Sequence, residues 1–239
     1  MSKIANQYIS GRLIKRYKRF FADIQLDNNK ETITAHCPNT GSMQGLLEEG
    51  NPVFVTRAND PKRKLKYTLE IIKSGNANVG VNTHKANRIV EDAIEMHLIP
   101  ELGKYDSYKR EVKYGTNSRI DFLLSDDKKQ TYVEVKNVTL SRKKETAEFP
   151  DAVTERGSKH LIELSKLPNK NTRAVMLFLI QRDDCKKFQI ASDIDQAYYD
   201  NFKKVIKKGV EIICYNCSFE SDKIRVNKKI KLINEQYNA

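Results

Sequence analysis

The chain has 239 residues, 39% of them hydrophobic and 31% charged, with a net charge of +12 and an isoelectric point of about 9.4. That length suits one large domain or two small ones with real cores. No apolar run approaches the ~20 residues of a membrane span and no signal-peptide core is evident, so a membrane partner is excluded and a cytoplasmic protein is expected.

The first 80 residues read as strands and turns. YISGRLIKRYKRFFADIQLDN and ETITAHC suggest two strands joined at Asp27-Asn28-Asn29-Lys30. NPVFVTRAND is a third, and KLKYTLEIIKSG is a fourth, with alternating Leu65, Tyr67, Leu69 and Ile71. A fifth starts near Val79. Short, evenly spaced strands with turns between them predict a small barrel, OB-like before SH3-like, over residues 1–82. This part and the remainder each carry a net charge of +6, so the shorter barrel is the denser cation. Such charge favours a polyanion, because Lys and Arg neutralise phosphates with release of counterions. Nucleic acid, with DNA foremost, is the expected partner. Arg16, Lys18 and Arg19, interleaved with Tyr17, Phe20 and Phe21, form one basic cluster, and Arg63 and Lys64 belong to a second. The alternative is charge that serves only solubility.

At Asn87–His97 the period changes to that of a helix, which ends by Pro100. KREVKYG, SRIDFLLS and TYVEVKNVT follow as three strands. FPDAVTERGSKHLIELSKL is predicted as a helix with Pro150 in its first turn. RAVMLFLIQ is a nearly unbroken apolar run, the mark of a strand buried on both faces. SDIDQAYYDNFKKVIKKG is a helix ending at Gly209, VEIICYNCSF a buried strand, and the basic tail after Asp222 one edge strand with a frayed end. The order predicts an α/β domain with a mixed central sheet over residues 83–239. Cys214 and Cys217 have no second ligand pair and lie in an apolar strand, so they read as core fillers.

The chemistry is concentrated in SRIDFLLSDDKKQTYVEVKNVTL. Residues two apart on a strand share a face, so Glu134 and Lys136 project together while Val133 and Val135 point to a core. A hairpin through Ser125–Gln130 brings Asp121 beside them. Phosphodiester hydrolysis needs a cation at the phosphate and an activated water. Mg²⁺ or Mn²⁺ takes oxygen ligands and few carboxylates. Asp121, Glu134 and the Val135 carbonyl are the candidate ligands. Lys136 is placed to stabilise developing charge. Glu95, with Glu91 one turn before it and Glu111 on the first strand, could supply a further acid. The bland reading of D…E-x-K is a solvated edge with a cross-strand Glu–Lys pair. The element order nevertheless matches a PD-(D/E)xK nuclease core.

Arg156 and His160, four apart, share a helix face suited to a phosphate, although Arg156 could instead pair with Glu155 or Glu163. Gly157 in that helix fits close packing or close approach of a ligand. Pro38-Asn39-Thr40-Gly41 is a tight turn.

Taken together, CPNTGSM, NSRIDFLL, YVEVKNVTL and FPDAVTERGSKHLIEL resemble the sugar fermentation stimulation protein family, SfsA, over essentially the whole chain. The resemblance implies an N-terminal OB-fold followed by a PD-(D/E)xK nuclease-like domain. It also implies non-specific DNA binding and a link to the regulation of sugar metabolism genes. On it Asp121, Glu134 and Lys136 fall on the nuclease signature, and Arg156 and His160 on the TERGxKHL block. Two functions follow: a metal-dependent nuclease, or a non-enzymatic DNA-binding regulator that keeps the fold. A binder of another anion, such as a nucleotide, is a third.

Overall fold

The structure, a computed structural model, describes residues 8–115, 118–221 and 223–233. The first six strands are β1 (Ile9–Tyr17), β2 (Phe21–Leu26), β3 (Thr32–His36), β4 (Pro52–Arg57), β5 (Tyr67–Ser74) and β6 (Ala77–Gly80). They form a sheet in the order β3-β2-β1-β4-β5-β6, and parallel pairing of Ala35 with Tyr67 and His36 with Thr68 closes β3 onto β5. The result is a closed five-stranded OB barrel. Its interior is filled by alternating residues such as Leu13, Ile24, Ile33, Val53 and Leu69.

The first strand expected from the sequence is in fact a hairpin. The chain reverses at Lys18-Arg19-Phe20, with Lys18 at φ 47° and Arg19 at φ 62°. Gly or Asn would mark such a reversal; a left-handed residue with a side chain costs roughly 1–2 kcal/mol. The basic, aromatic composition of the tip hid the turn.

After a 3-10 turn at Thr83–Lys85 come α1 (Ala86–Glu95), β7 (Ser107–Tyr114), β8 (Ser118–Ser125) and β9 (Gln130–Val138). Next are β10 (Leu140–Lys143), β11 (Thr146–Phe149), α2 (Glu155–Leu164), β12 (Thr172–Ile180) and β13 (Lys187–Ile190). The last elements are α3 (Gln196–Lys207), β14 (Val210–Phe219), β15 (Ile224–Lys229) and β16 (Lys231–Leu232). The central sheet runs β15-β14-β12-β9-β8-β7, with β12 parallel to both β9 and β14 and the other pairs antiparallel. It is the expected mixed sheet. β12 explains its apolar run: Val175, Leu177 and Leu179 pack on the α1 side, while Met176, Phe178 and Ile180 pack under α2 and α3.

Three features differ from the sequence reading. α2 begins after Thr154, whose hydroxyl accepts from Gly157 N at 3.0 Å, so Pro150 lies outside the helix. A side-chain cap determines the start where proline position alone misled. Strands β10, β11, β13 and β16 form a small separate sheet that was not foreseen, because four- and two-residue strands carry too few alternations to show a period. The tail holds two strands rather than one, and its expected frayed end, residues 234–239, lies outside the described residues. Gly157 lacks a Cβ for packing reasons: one would sit 2.8 Å from Thr154 and 3.3 Å from the Tyr198 ring. All four cysteines are buried and free.

Two backbone contacts and one to a side chain stitch the barrel to the rest. Gly80 N donates to Gln181 O at 2.8 Å, Val79 bridges Arg182, and Asn78 N donates to Asp183 at 2.9 Å.

Candidate functional site

The site arises where the central sheet opens. Antiparallel pairing of β8 with β9 stops at Phe122–Val133, and the next residues toward the opening are Asp121 and Glu134. Val135 N, which the ladder no longer serves, donates to Asp121 Oδ2 at 2.7 Å. Asn87, in the first turn of α1, donates to Asp121 Oδ1 at 2.7 Å. Across from Asp121 on β7, Glu111 takes φ 53°, a left-handed outlier at the mouth of the opening. A polar cleft of about 890 Å³ lies over this point, with Asp121, Glu134, Lys136, Arg156 and His160 among its walls.

Glu134 is only 3% exposed, and both its side-chain partners come from chemistry-bearing positions. Its Oε1 accepts from Lys136 Nζ at 2.7 Å and from His160 Nδ1 at 2.6 Å. Its Oε2 is buried with no hydrogen-bond partner. Burial works to raise the Glu134 pKa, but the His160 hydrogen bond and the Lys136 ammonium outweigh it, so the carboxyl is held below the usual range. Asp121 goes the other way: burial first, then the nearby Glu134 charge, push it up to about 6. A buried carboxylate oxygen without a partner, beside a second carboxylate, fits a hard cation. Among the described residues, no group of three or more His, Cys, Asp or Glu is arranged to hold a metal. An ion here would therefore rest on two carboxylates, with backbone and water oxygens completing its shell, which is the habit of Mg²⁺.

Asp121, Glu134, Val135, Lys136, Arg156 and His160 thus line one cleft, and Glu95 does not. The Glu95 carboxylate accepts from Tyr108 at 2.7 Å and borders a groove between α1 and β15. Glu91 is taken by Arg110 at 2.9 Å and Arg88 at 3.1 Å. Helical periodicity placed both acids on one face, but the cleft meets the N-terminal end of α1, so Asn87 is what the helix contributes. A single Asn gives no sequence signal for this role. Glu163, the proposed partner of Arg156, is hydrogen-bonded to Ser118 and lies 4.0 Å from Lys159.

The barrel candidates divide. Lys18 and Arg19 form the exposed hairpin tip, and Lys64 is also exposed. Arg16 braces backbone: its guanidinium donates to Asn39 O at 2.7 Å, Gly41 O at 3.1 Å and Arg19 O at 3.1 Å. Arg63 donates to Thr68 Oγ1 at 2.8 Å and lies 3.3 Å from His36 Nδ1.

The Pro38–Gly41 turn has a structural role. Pro38 O accepts from Thr83 Oγ1 at 2.7 Å, and Asp151 reaches Ser42 Oγ and Met43 N, each at 3.5 Å. A Cβ on Gly41 would overlap the Asp151 carboxylate. The turn therefore clamps the barrel onto the loop that leads into α2. Gly41→Ala should lower stability by roughly 1–3 kcal/mol, read by thermal unfolding, and adding Asp151→Ala should recover part of the loss. Equal melting temperatures for wild type and Gly41→Ala would remove the clamp.

A closed OB barrel joined to a mixed sheet that opens over Asp, Glu and Lys defines a two-part protein with a PD-(D/E)xK nuclease-like second half. The chain belongs to the sugar fermentation stimulation protein (SfsA) family: residues 14–81 match its N-terminal OB domain and residues 84–223 its RE domain. A sugar fermentation stimulation protein homolog of Pelagibacter ubique is 53% identical over 95% of this chain and 97% of its own length. A homolog of Maricaulis maris is 45% identical over 96% and 98%. The solved structure of Pyrococcus furiosus SfsA in complex with Ca²⁺ superposes with a TM-score of 0.84 at 26% identity, covering 94% of this chain and 95% of that one.

Proposed function

We propose that this protein binds nucleic acid, DNA foremost, and hydrolyses phosphodiester bonds at a divalent-metal site on Asp121 and Glu134. The observation that carries the reading is the unpartnered Glu134 Oε2, buried beside Asp121 in a cleft otherwise rich in cations. The P. furiosus relative was solved with Ca²⁺, a cation of the same oxygen preference. Mg²⁺ or Mn²⁺ held by Asp121, Glu134 and the Val135 carbonyl would polarise the phosphate and lower the pKa of a bound water. Asn87 and Val135 N fix the rotamer of Asp121. His160 and Lys136 fix Glu134 and keep it ionised. Lys136 also brings positive charge to the side where the phosphorane would build negative charge. Arg156, on the cleft wall, offers a two-pronged grip on a phosphate. No helix among the described residues is long and apolar enough to cross a membrane.

Incubating the protein with labelled DNA and RNA in Mg²⁺, Mn²⁺ or chelator tests the reading. Cleavage should require metal and vanish in Asp121→Ala. Cleavage that survives in chelator would refute it. The second reading is a DNA-binding regulator without turnover. It is favoured by the contacts of Glu134 Oε1 with Lys136 and His160, which satisfy that oxygen without an ion, and predicts salt-sensitive binding with no product under any metal.

A further inference from the structure

The β1–β2 tip, the Arg63 pocket and the cleft adjoin one another in turn, and their order points to the form of the substrate. At the tip, Phe20 is 46% exposed and Tyr17 36%. The Tyr17 ring stacks on Phe21 at 5.4 Å and 17°, with the Lys15 ammonium 5.6 Å from its centre. Lys18 and Arg19, left-handed and exposed, flank these rings with charge. The tip is held in place, because Arg16 ties Arg19 O to the clamped Pro38–Gly41 turn.

Beside the tip lies a second polar pocket of about 330 Å³. Its backbone link to the tip is direct: Phe21 pairs with His36, and Cys37 N donates to Phe20 O at 2.8 Å. Within it Arg63 is held against His36 and Thr68, and the His84 ring lies 6.5 Å from that of His36. Arg57, Asn59 and Asn82 add further donors. The acid in the wall, Glu70, is already bound by Thr56 at 2.7 Å, Asn82 at 2.9 Å and Lys85 at 2.9 Å. His84 belongs both to this pocket and to the wall of the larger cleft, so the two spaces adjoin across one ring.

Flat rings at a fixed tip, a compact cationic pocket and a cleft in series suit a chain whose bases are unpaired, since only unstacked bases present a face to an aromatic side chain. We propose that the protein takes nucleic acid as a single strand: bases stack on Phe20 and Tyr17, a backbone phosphate sits between His36, Arg63 and His84, and the strand passes His84 into the Asp121–Glu134 cleft. The strand form deepens the nuclease reading and rests on it for the end of the path. The binding track itself needs no metal.

The test is fluorescence anisotropy in chelator, comparing labelled oligothymidylate of about 12 nucleotides, within the span of an OB-fold site, with a blunt duplex of equal length. Wild type should bind the single strand at least tenfold more tightly than the duplex. Phe20→Ala should weaken single-strand binding by roughly tenfold, the scale of one stacked base, Arg63→Ala should weaken it several-fold through loss of a phosphate contact, and both should leave duplex binding unchanged. A Lys18→Asn/Arg19→Gly variant relaxes the tip. It should melt higher yet bind the single strand less well, which separates loss of contact from loss of fold. Equal or tighter duplex binding, or variants that bind as wild type does, would overturn the track. Metal-dependent duplex cutting without single-strand preference would leave the nuclease site standing and remove the track. Single-strand preference without cleavage would do the reverse.

Discussion

Glu134→Gln should reduce metal-dependent cleavage by about 10³-fold or more, a loss of roughly 4 kcal/mol of transition-state stabilisation. Glutamine keeps the shape of the side chain, so the packing of β9 against β12 survives. It removes the charge that Lys136 and His160 converge on at 2.7 and 2.6 Å. Two cationic or donor groups would then face an amide, and a metal ion would meet positive charge with one carboxylate fewer. Mn²⁺ binding followed by calorimetry should weaken in parallel. The competing view makes Glu134 a tether that holds α2 to the sheet through His160. Under that view Glu134→Gln loses stability in thermal unfolding but cuts at the wild-type rate once folded. Wild-type turnover together with wild-type Mn²⁺ affinity would reject the metal site.

The second large effect runs in the opposite direction. Asp121→Asn should make the metal-free protein more stable at neutral pH while abolishing cleavage. Burial and the Glu134 charge raise the Asp121 pKa from the ordinary 3.8 to about 6. A carboxyl with a raised folded-state pKa stabilises the fold fully below its unfolded value and loses that contribution as pH climbs through the folded value. The window is therefore pH 4 to 6, and the loss approaches ~3 kcal/mol above it, at 1.36 kcal/mol per pKa unit. The Asn side chain keeps an oxygen for Val135 N, and an amide flip of Asn87 lets it pair with the new NH₂. Denaturant unfolding at pH 4 and pH 7 measures the difference. Wild type should lose stability over this interval by more than Asp121→Asn does. Identical pH profiles for the two proteins would show that Asp121 ionises in the folded chain as freely as in water.

Short-range periodicity was enough to bring together the residues that line the cleft of the second half. Glu134 and Lys136 share a strand face, Val133 and Val135 fill the core, and β12 is buried on both faces, as the alternation and the long apolar run implied. What escaped notice is nonlocal. Asn87 serves Asp121 from 34 positions away, Asp151 reaches Ser42 across 109, and Arg16 braces Asn39 across 23. No period encodes such meetings; they exist only once the barrel and sheet are in place. The displaced acid shows the same limit. Spacing said that Glu91 and Glu95 share a face of α1, but not which end of the helix the opening would meet. The hairpin tip failed for a local reason, because Lys-Arg stands where a reversal ordinarily advertises itself with Gly or Asn.

The seam at Gly80–Gln181 and Val79–Arg182 carries a consequence for handling the molecule. Severing the polypeptide after position 82 would strip β6 of the main-chain partners it finds a hundred residues downstream and leave raw strand edges on both fragments, open to self-association. The two halves should therefore be hard to obtain as well-behaved separate pieces. They should also swing little against each other, so that whatever enters along the barrel meets the side chains of the cleft at a preset distance instead of waiting for a hinge to close.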